Sequence, residues 1–247
     1  MKKILIFMLV LAGVGVSMVY VELGSIVKNA VESRAPAMLG APVSIGLVTL
    51  SPFTGKCIVR GLKVGNPEGF RSASAIEVGE IRVSLDVRSL FGRGRILIRQ
   101  IDVDAPKITL ETGLGGTNLQ QLQRNLEAAA PNGPDTGGKA QLPPRKIEIA
   151  LFRLTGAQAT AVVPQMQSAP LAAVTLPTVE LKGIGAQNGG ASESEAARQI
   201  LSAVTQSALS ASGGPEALIK KALQSVGAGG TDPSKVLNQL QDFFKKK

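Results

Sequence analysis

The hydrophobic pattern opens with an unbroken apolar run, Ile4 to Val21, that holds no charged residue. At about 1.5 Å of rise per residue a helix of that length spans about 27 Å, close to the hydrocarbon thickness of a bilayer. The run predicts a transmembrane anchor over residues 4–21, with Ile4, Phe7, Leu11, Val16 and Tyr20 among its side chains. Lys2 and Lys3 precede it and Glu22 follows it, so the positive-inside bias puts residues 1–3 in the cytoplasm and everything after Val21 outside. A cleaved signal peptide is the rival reading. Gly15-Val16-Ser17 is the nearest approach to a cleavage site, and the apolar run continues past it, which favours an uncleaved anchor. Leu23, Ile26, Val27, Ala30 and Val31 then recur at helical spacing, predicting a helical extension over 22–39 that ends in the Pro36 region.

From residue 43 to 182 the period changes to two. Val43 to Leu50, Cys57 to Val64, Ile76 to Val87, Ile96 to Ala105, Lys107 to Leu110, Lys146 to Leu154, Ala157 to Val163 and Leu171 to Lys182 are short runs rich in Val and Ile, bounded by Gly, Pro, Asn or Ser. They predict about eight strands. The alternation slips parity four times: between Val78 and Ile81, between Ile98 and Ile101, between Leu151 and Phe152, and between Leu47 and Val48. Bulges absorb such slips, bend the strands and increase their twist; the rival reading is that the slips are strand ends misread by a period of two. The expected fold is therefore α+β: an anchor helix, a curled, mostly antiparallel sheet with an apolar groove-like side, and amphipathic helices after it. The outer, polar side carries Arg82, Ser84, Asp86, Asp102 and Asp104.

Two stretches interrupt or follow the sheet. Thr117-Asn118-Leu119-Gln120 reads as a capping box, with Leu119, Leu122 and Leu126 at helical spacing behind it. Pro131 to Pro144 reads as a flexible loop. The region 192–247 turns helical. Ser192 to Glu195 is a second capping box, heading a stripe of Ala197, Ile200, Leu201, Val204 and Ala208. Further helices open at Pro215 and at Asp232-Pro233. The last of them ends in Phe243, Phe244, Lys245, Lys246 and Lys247, an arrangement suited to an interfacial membrane helix and equally to a helix packed on its own sheet.

Composition narrows the chemistry. The chain lacks His and has one Cys, Cys57, which excludes imidazole mechanisms, metal sites built from His or paired thiolates, and an internal disulfide. Pro52-Phe53-Thr54-Gly55-Lys56 is only a fragment of a phosphate loop, and in Gly113 to Asn118 the last glycine of a dinucleotide loop is replaced by Asn118. Asp102 and Asp104 share a strand face but lie opposite Ile101 and Val103, as solvated residues would. Cys57, between Lys56 and Ile58, reads as a small half-buried hydrophobe. No catalytic residue, metal site or cofactor is expected, and the chain does not read as an enzyme. Lys and Arg exceed Asp and Glu by 27 to 18, which favours an acidic partner. With the domain expected outside the cytoplasm and aromatics at 3%, nucleic acid is disfavoured and anionic lipid headgroups are preferred.

The stretch Leu90 to Leu122, LFGRGRILIRQIDVDAPKITLETGLGGTNLQQL, resembles the signature of AsmA-like proteins: a Leu-Phe turn, a D-x-P-x-I-x-L-E strand, a glycine turn and N-L-x-x-L. The lead-in, with its Asn66-Pro67-Glu68-Gly69 turn, is similar too, and Arg145 to Val163 looks like a weaker second unit. The resemblance implies a single-pass protein of the bacterial inner membrane whose periplasmic β groove takes part in lipid transport. Its lipid-contacting residues would be Ile81, Val83, Leu85, Ile96, Ile98, Ile101, Val103, Ile108, Leu110, Ile147 and Ile149. Eight strands at about 4.8 Å reach only about 40 Å, so bridging a periplasm would need a partner or self-association. The alternative is an envelope scaffold that binds no lipid, its C-terminal helices covering the groove and docking a partner.

Overall fold

The computed structural model describes residues 22–92, 94–113, 116–129, 145–162, 173–187 and 189–211. In chain order these form α1 (22–39), β1 (Val43–Ser44), β2 (Leu47–Leu50), β3 (Lys56–Val64), β4 (Ile76–Leu85), α2 (Val87–Phe91), β5 (Ile96–Asp104), β6 (Lys107–Gly113), β7 (Gly116–Thr117), α3 (Asn118–Ala128), β8 (Ile147–Thr155), β9 (Gln158–Val162), β10 (Val174–Thr175), β11 (Val179–Ile184) and α4 (Glu193–Ala211). The anchor over 4–21, the loop over 131–144 and the helices expected after residue 211 lie outside the described residues. Among the described residues no helix is long and apolar enough to cross a membrane.

The strands join into one curled mixed sheet. Its registers show that most of the short strands are halves of longer ones. β1 and β2 meet β3 in a single register, β6 and β5 meet β4 in a single register, and β8 and β9 run parallel to β5 and β6 at one constant offset. β10 and β11 likewise share one register on β9 and β8. The result is six long strands in sequence order, antiparallel except where β5–β6 meets β8–β9; β7 is a two-residue addition to the end of β6. This corrects the eight separate runs read from the sequence: Ile96 to Ala105 and Lys107 to Leu110 are one strand, as are the run Lys146 to Leu154 and the described part, up to Val162, of the run that begins at Ala157. Six strands reach about 24–29 Å across, less than the expected width.

The registers also explain the parity slips. Extended from the paired residues on either side, they place Gly46, Gly61, Gly79, Ala105, Gly156 and Pro177 side by side, one on each strand. Gly61, Ala105 and Gly156 have φ of 66°, 46° and 63°, outside the extended region, so the in–out alternation restarts there. On β3 the inward series passes from Cys57 and Val59 to Leu62 and Val64, and on β4 from Val78 to Ile81. A bulge on one strand alone would shift its register by one residue. Here every strand slips at the same level, so the hydrogen-bonded register survives while the parity changes. A second, shorter line crosses at the Ser84/Leu85 irregularity and at Gly183, whose φ is 67°. The slips near Gly46 and Ala150 come a residue earlier than the sequence suggested, which leaves Leu47 53% exposed on the outer face.

With both halves in phase, whole rows of one face are apolar. Val48, Val59, Ile81, Val103, Leu154 and Val179 align across all six strands, as do Leu50, Cys57, Val83, Ile101, Phe152 and Leu181. Beyond the slip line Val43, Val64, Ile76, Ile108, Ala159 and Val174 make a third row. The opposite face carries ion pairs, Arg60 to Glu80 at 3.0 Å, Arg82 to Glu80 at 3.0 Å and Arg153 to Glu180 at 2.9 Å.

Three helices cover the apolar face. α3 is held by the expected capping box on Thr117 and Gln120, and buries Leu119, Leu122 and Leu126. It packs on β6, while α4 packs on β8, β11 and α3 with Ala196, Leu201, Val204 and Ala208 buried. α4 begins with the expected reciprocal pair: Ser192 N donates to Glu195 at 2.8 Å and Glu195 N to the Ser192 hydroxyl at 3.2 Å. On the other flank Leu23, Val27 and Val31 of α1 pack with Ile45, Val48, Leu50 and Cys57. Gly24 lets α1 approach, since a Cβ there would lie 2.0 Å from the Val48 carbonyl oxygen. α1 also protects the outer sheet edge, as Glu32 accepts from Ile45 N at 2.7 Å and Lys28 donates to the Gly46 carbonyl at 3.3 Å. α2 was not expected; Asp86 is its N-cap instead of a residue on the outer sheet face, and β4 ends at Leu85.

Two substitutions test the slip line by equilibrium unfolding. Ala105→Gly removes an L-residue from the left-handed region and should raise stability by about 0.5–1 kcal/mol. Gly156→Val should lower it by about 1–2 kcal/mol. Equal stability of both variants and the parent would show that the line carries no strain.

Candidate functional site

The eleven residues expected to line a groove share the apolar face but not one environment. Val103, Ile108, Leu110 and Ile149 are 6%, 1%, 2% and 2% exposed. They belong to the main core with the apolar residues of α3 and α4, so their side chains pack inside the protein. Ile147 packs against the edge of that core, its backbone paired with Ala191 ahead of α4. Ile81, Ile98 and Ile101 are half-buried against the main core, and Val83 and Leu85 against the α1 core. Ile96 is half-buried at the start of β5. Between the flank covered by α1 and the flank covered by α4, the centre of β4 and β5 thus carries a strip of six half-buried aliphatic side chains. The anchor residues Ile4, Phe7, Leu11, Val16 and Tyr20, and Phe243 to Lys247, lie outside the described residues.

The motif residues that stand out in the sequence meet at the other end of the sheet. Glu111 and Asn118 are both 0% exposed. Glu111 accepts from Arg71 N and Ser72 N, each at 2.7 Å, and from the Ser72 hydroxyl. Asn118 accepts from Glu111 N at 3.0 Å and Leu119 N at 2.9 Å, and donates to Asn66 at 2.7 Å and the Thr109 carbonyl at 2.8 Å. Asn66 in turn donates to the Ser72 carbonyl at 2.7 Å. This network straps the 65–75 loop onto β6 and the start of α3. Gly113 gives the loop its seat, because a Cβ there would stand 2.9 Å from the Phe70 ring. Strand alternation puts Glu111 on the face opposite Ile108 and Leu110, so the pattern gave no sign of its burial. Among the described residues no buried side-chain N or O atom of the network lacks a hydrogen-bond partner, which makes it a structural clamp.

The remaining chemical candidates occupy structural positions. Asp102 accepts from Gln100 at 2.9 and 2.8 Å, and Asp104 from the Thr155 hydroxyl at 3.3 Å, both on the outer face. Cys57 is 7% exposed in the α1 core, and burial pushes its thiol pKa up. The hydrogen bond from Arg60, aided by Arg82, holds the Glu80 carboxyl below its ordinary range; Arg99 does the same for Asp86. Among the described residues no group of three His, Cys, Asp or Glu side chains could hold a metal ion. The Pro52 to Lys56 segment is the β2–β3 turn, closed by Gly55 N to the Ser51 carbonyl at 2.9 Å. A recess of about 260 Å³ lies between α1 and β2, lined by Gly24, Lys28, Gly46 and Thr49 among others.

Two large apolar side chains escaped the sequence reading. Phe53, in the β2–β3 turn, is 73% exposed and Phe91, at the end of α2, is 82% exposed. A signal existed, since neither turn needs a phenyl ring for its geometry.

Glu111→Ala would take the acceptor from the part-buried main-chain donors of Arg71 and Ser72 and should cost about 1–3 kcal/mol in chemical unfolding; a loss under about 0.5 kcal/mol would show that the clamp is dispensable. Cys57 should react with a thiol reagent at pH 8 only as fast as the protein unfolds, and rapid labelling of the native chain would place it outside the core. The sequence matches no protein-family model, and no curated protein matches it.

Proposed function

We propose that this chain is a membrane-tethered protein of the bacterial envelope, similar to AsmA-like proteins, that handles lipid without catalysing a reaction. In this reading the Ile4 to Val21 run is the anchor, the described fold lies in the periplasm, and an acyl chain lies along the strip Ile81, Val83, Leu85, Ile96, Ile98 and Ile101. The observation that supports it is the half-burial of that strip beside the sealed Val103, Ile108, Leu110 and Ile149; Val59, Leu62, Ile76 and Leu181 on the same face are half-buried as well. Such a strip leaves apolar area in water that a hydrocarbon chain would remove, at about 25 cal/mol per Å².

The second reading is an envelope scaffold, and it has its own support. α3 and α4 seal Val103, Ile108, Leu110 and Ile149, which shortens any lipid path to the β4–β5 centre. The two readings differ in what the strip contacts.

The full chain in bilayer nanodiscs, given a phospholipid with a diazirine at its acyl terminus, tests both. Lipid handling predicts crosslinks on peptides of β4 and β5 that fall about tenfold in Val83→Asp, whose carboxylate would have to be desolvated beside the acyl chain. Labelling confined to residues 4–21, or unchanged by Val83→Asp, would remove the strip as a lipid site and leave the scaffold.

A further inference from the structure

α1 runs antiparallel to the first long strand: Gly24 lies against Val48 and Thr49, Lys28 reaches the Gly46 carbonyl, and Glu32 reaches Ile45. Residue 22 therefore emerges at the end of the sheet where β2 stops and β3 starts. The same end carries the 51–55 turn, α2, and Arg145 ahead of β8. The turn and α2 abut, with Leu85 N donating to the Gly55 carbonyl at 2.8 Å and no room for a Cβ on Gly55 beside the Leu85 oxygen. Both strongly exposed phenylalanines, Phe53 and Phe91, thus project from the end at which the apolar run Ile4 to Val21 joins the fold.

Charge follows the same placement. Lys56 and Arg88 are exposed and have no carboxylate partner among the described residues. Arg145 spends its guanidinium on the carbonyls of Ser89, Leu90 and Gly94 at 2.5 to 2.9 Å, so its charge also stays unneutralised. Arg95 and Arg99 are matched by Glu148 and Asp86. Glu22, Glu193 and Glu195 stand at the margins of this end, at the starts of α1 and α4. Exposed aromatics flanked by unneutralised cations are the makings of a surface that inserts rings among lipid headgroups while its cations meet phosphate.

We infer that this end of the sheet, through Phe53 and Phe91 with Lys56, Arg88 and Arg145, is seated on an anionic phospholipid bilayer, the bilayer from which the chain's own anchor emerges. The inference rests on the tethering in the proposed function and not on an acyl chain in the strip. It fixes the orientation of the fold: the starts of β5 and β8 face the lipid, the Glu111 clamp and α3 lie at the far end, and the strip opens toward the membrane at Leu85 and Ile96.

The chain contains no Trp, so a single introduced Trp reports without background. Phe53→Trp, Phe91→Trp and Glu68→Trp, the last on the far-end loop, are each reconstituted as full chains into vesicles of phosphatidylcholine and phosphatidylglycerol, with and without brominated acyl chains. Ring insertion predicts blue-shifted emission and about two-fold or greater quenching at positions 53 and 91, with none at 68. It also predicts weaker quenching when phosphatidylglycerol is omitted or when Lys56→Glu and Arg88→Glu are combined. Quenching at neither phenylalanine position, or equal quenching at 68, would overturn the seating. Quenching indifferent to headgroup charge would overturn the role of the cations. Loss of acyl crosslinks from β4 and β5 with quenching intact would count against the strip alone.

Discussion

The fold depends on keeping the hydrogen-bond register and the side-chain parity of six strands consistent while both are broken in the middle. A parity slip on one strand alone would turn half of its apolar residues to water, or push the register against its neighbours by one residue. The protein places the slip at one level on every strand, at Gly46, Gly61, Gly79, Ala105, Gly156 and Pro177. Only small residues and Pro stand on that line, and three of them hold left-handed or near left-handed φ. Both halves of the sheet then present apolar rows to the same side. The helices can pack there only because those rows are continuous.

The two ends of this sheet are built for different work. At the far end a carboxylate with no exposure accepts from the loop it holds, and α3 closes over Ile108 and Leu110. A buried charge is tolerable there because main-chain and hydroxyl donors surround it. At the near end α1 and α4 flank the sheet, and the β4–β5 centre keeps six aliphatic side chains half-buried. Exposed aromatics and cations cluster at that same end. The proposed lipid-handling function draws on this polarity, because the strip reaches the end that carries Phe53 and Phe91.

Much of this was legible in the sequence, for physical reasons. Period-two runs marked the strands, and the parity slips at Gly79 and after Ile98 were visible because apolar residues resume on the other parity. The caps at Thr117 and Ser192 follow from the reciprocal bonds their residue types make. What the pattern hid was the alignment of the slips across strands, which depends on non-local registers. It therefore split two long strands into four. It also hid which groove residues the helices cover: Ile98 and Ile108 look alike along the chain, and only the placement of α3 separates them. Glu111 was hidden because its cover comes from a loop about 40 residues earlier.

The central proposal is that the β4–β5 strip stays available to hydrocarbon while Ile108, Leu110 and Ile149 are sealed. Methyl NMR of the full chain in nanodiscs, with a spin label near the acyl terminus of the lipid, tests it most directly. The account predicts paramagnetic broadening at the methyls of Ile81, Val83, Ile98 and Ile101, with Ile108, Leu110 and Ile149 unaffected. Sharp resonances at all seven residues, or broadening shared evenly among them, would contradict it.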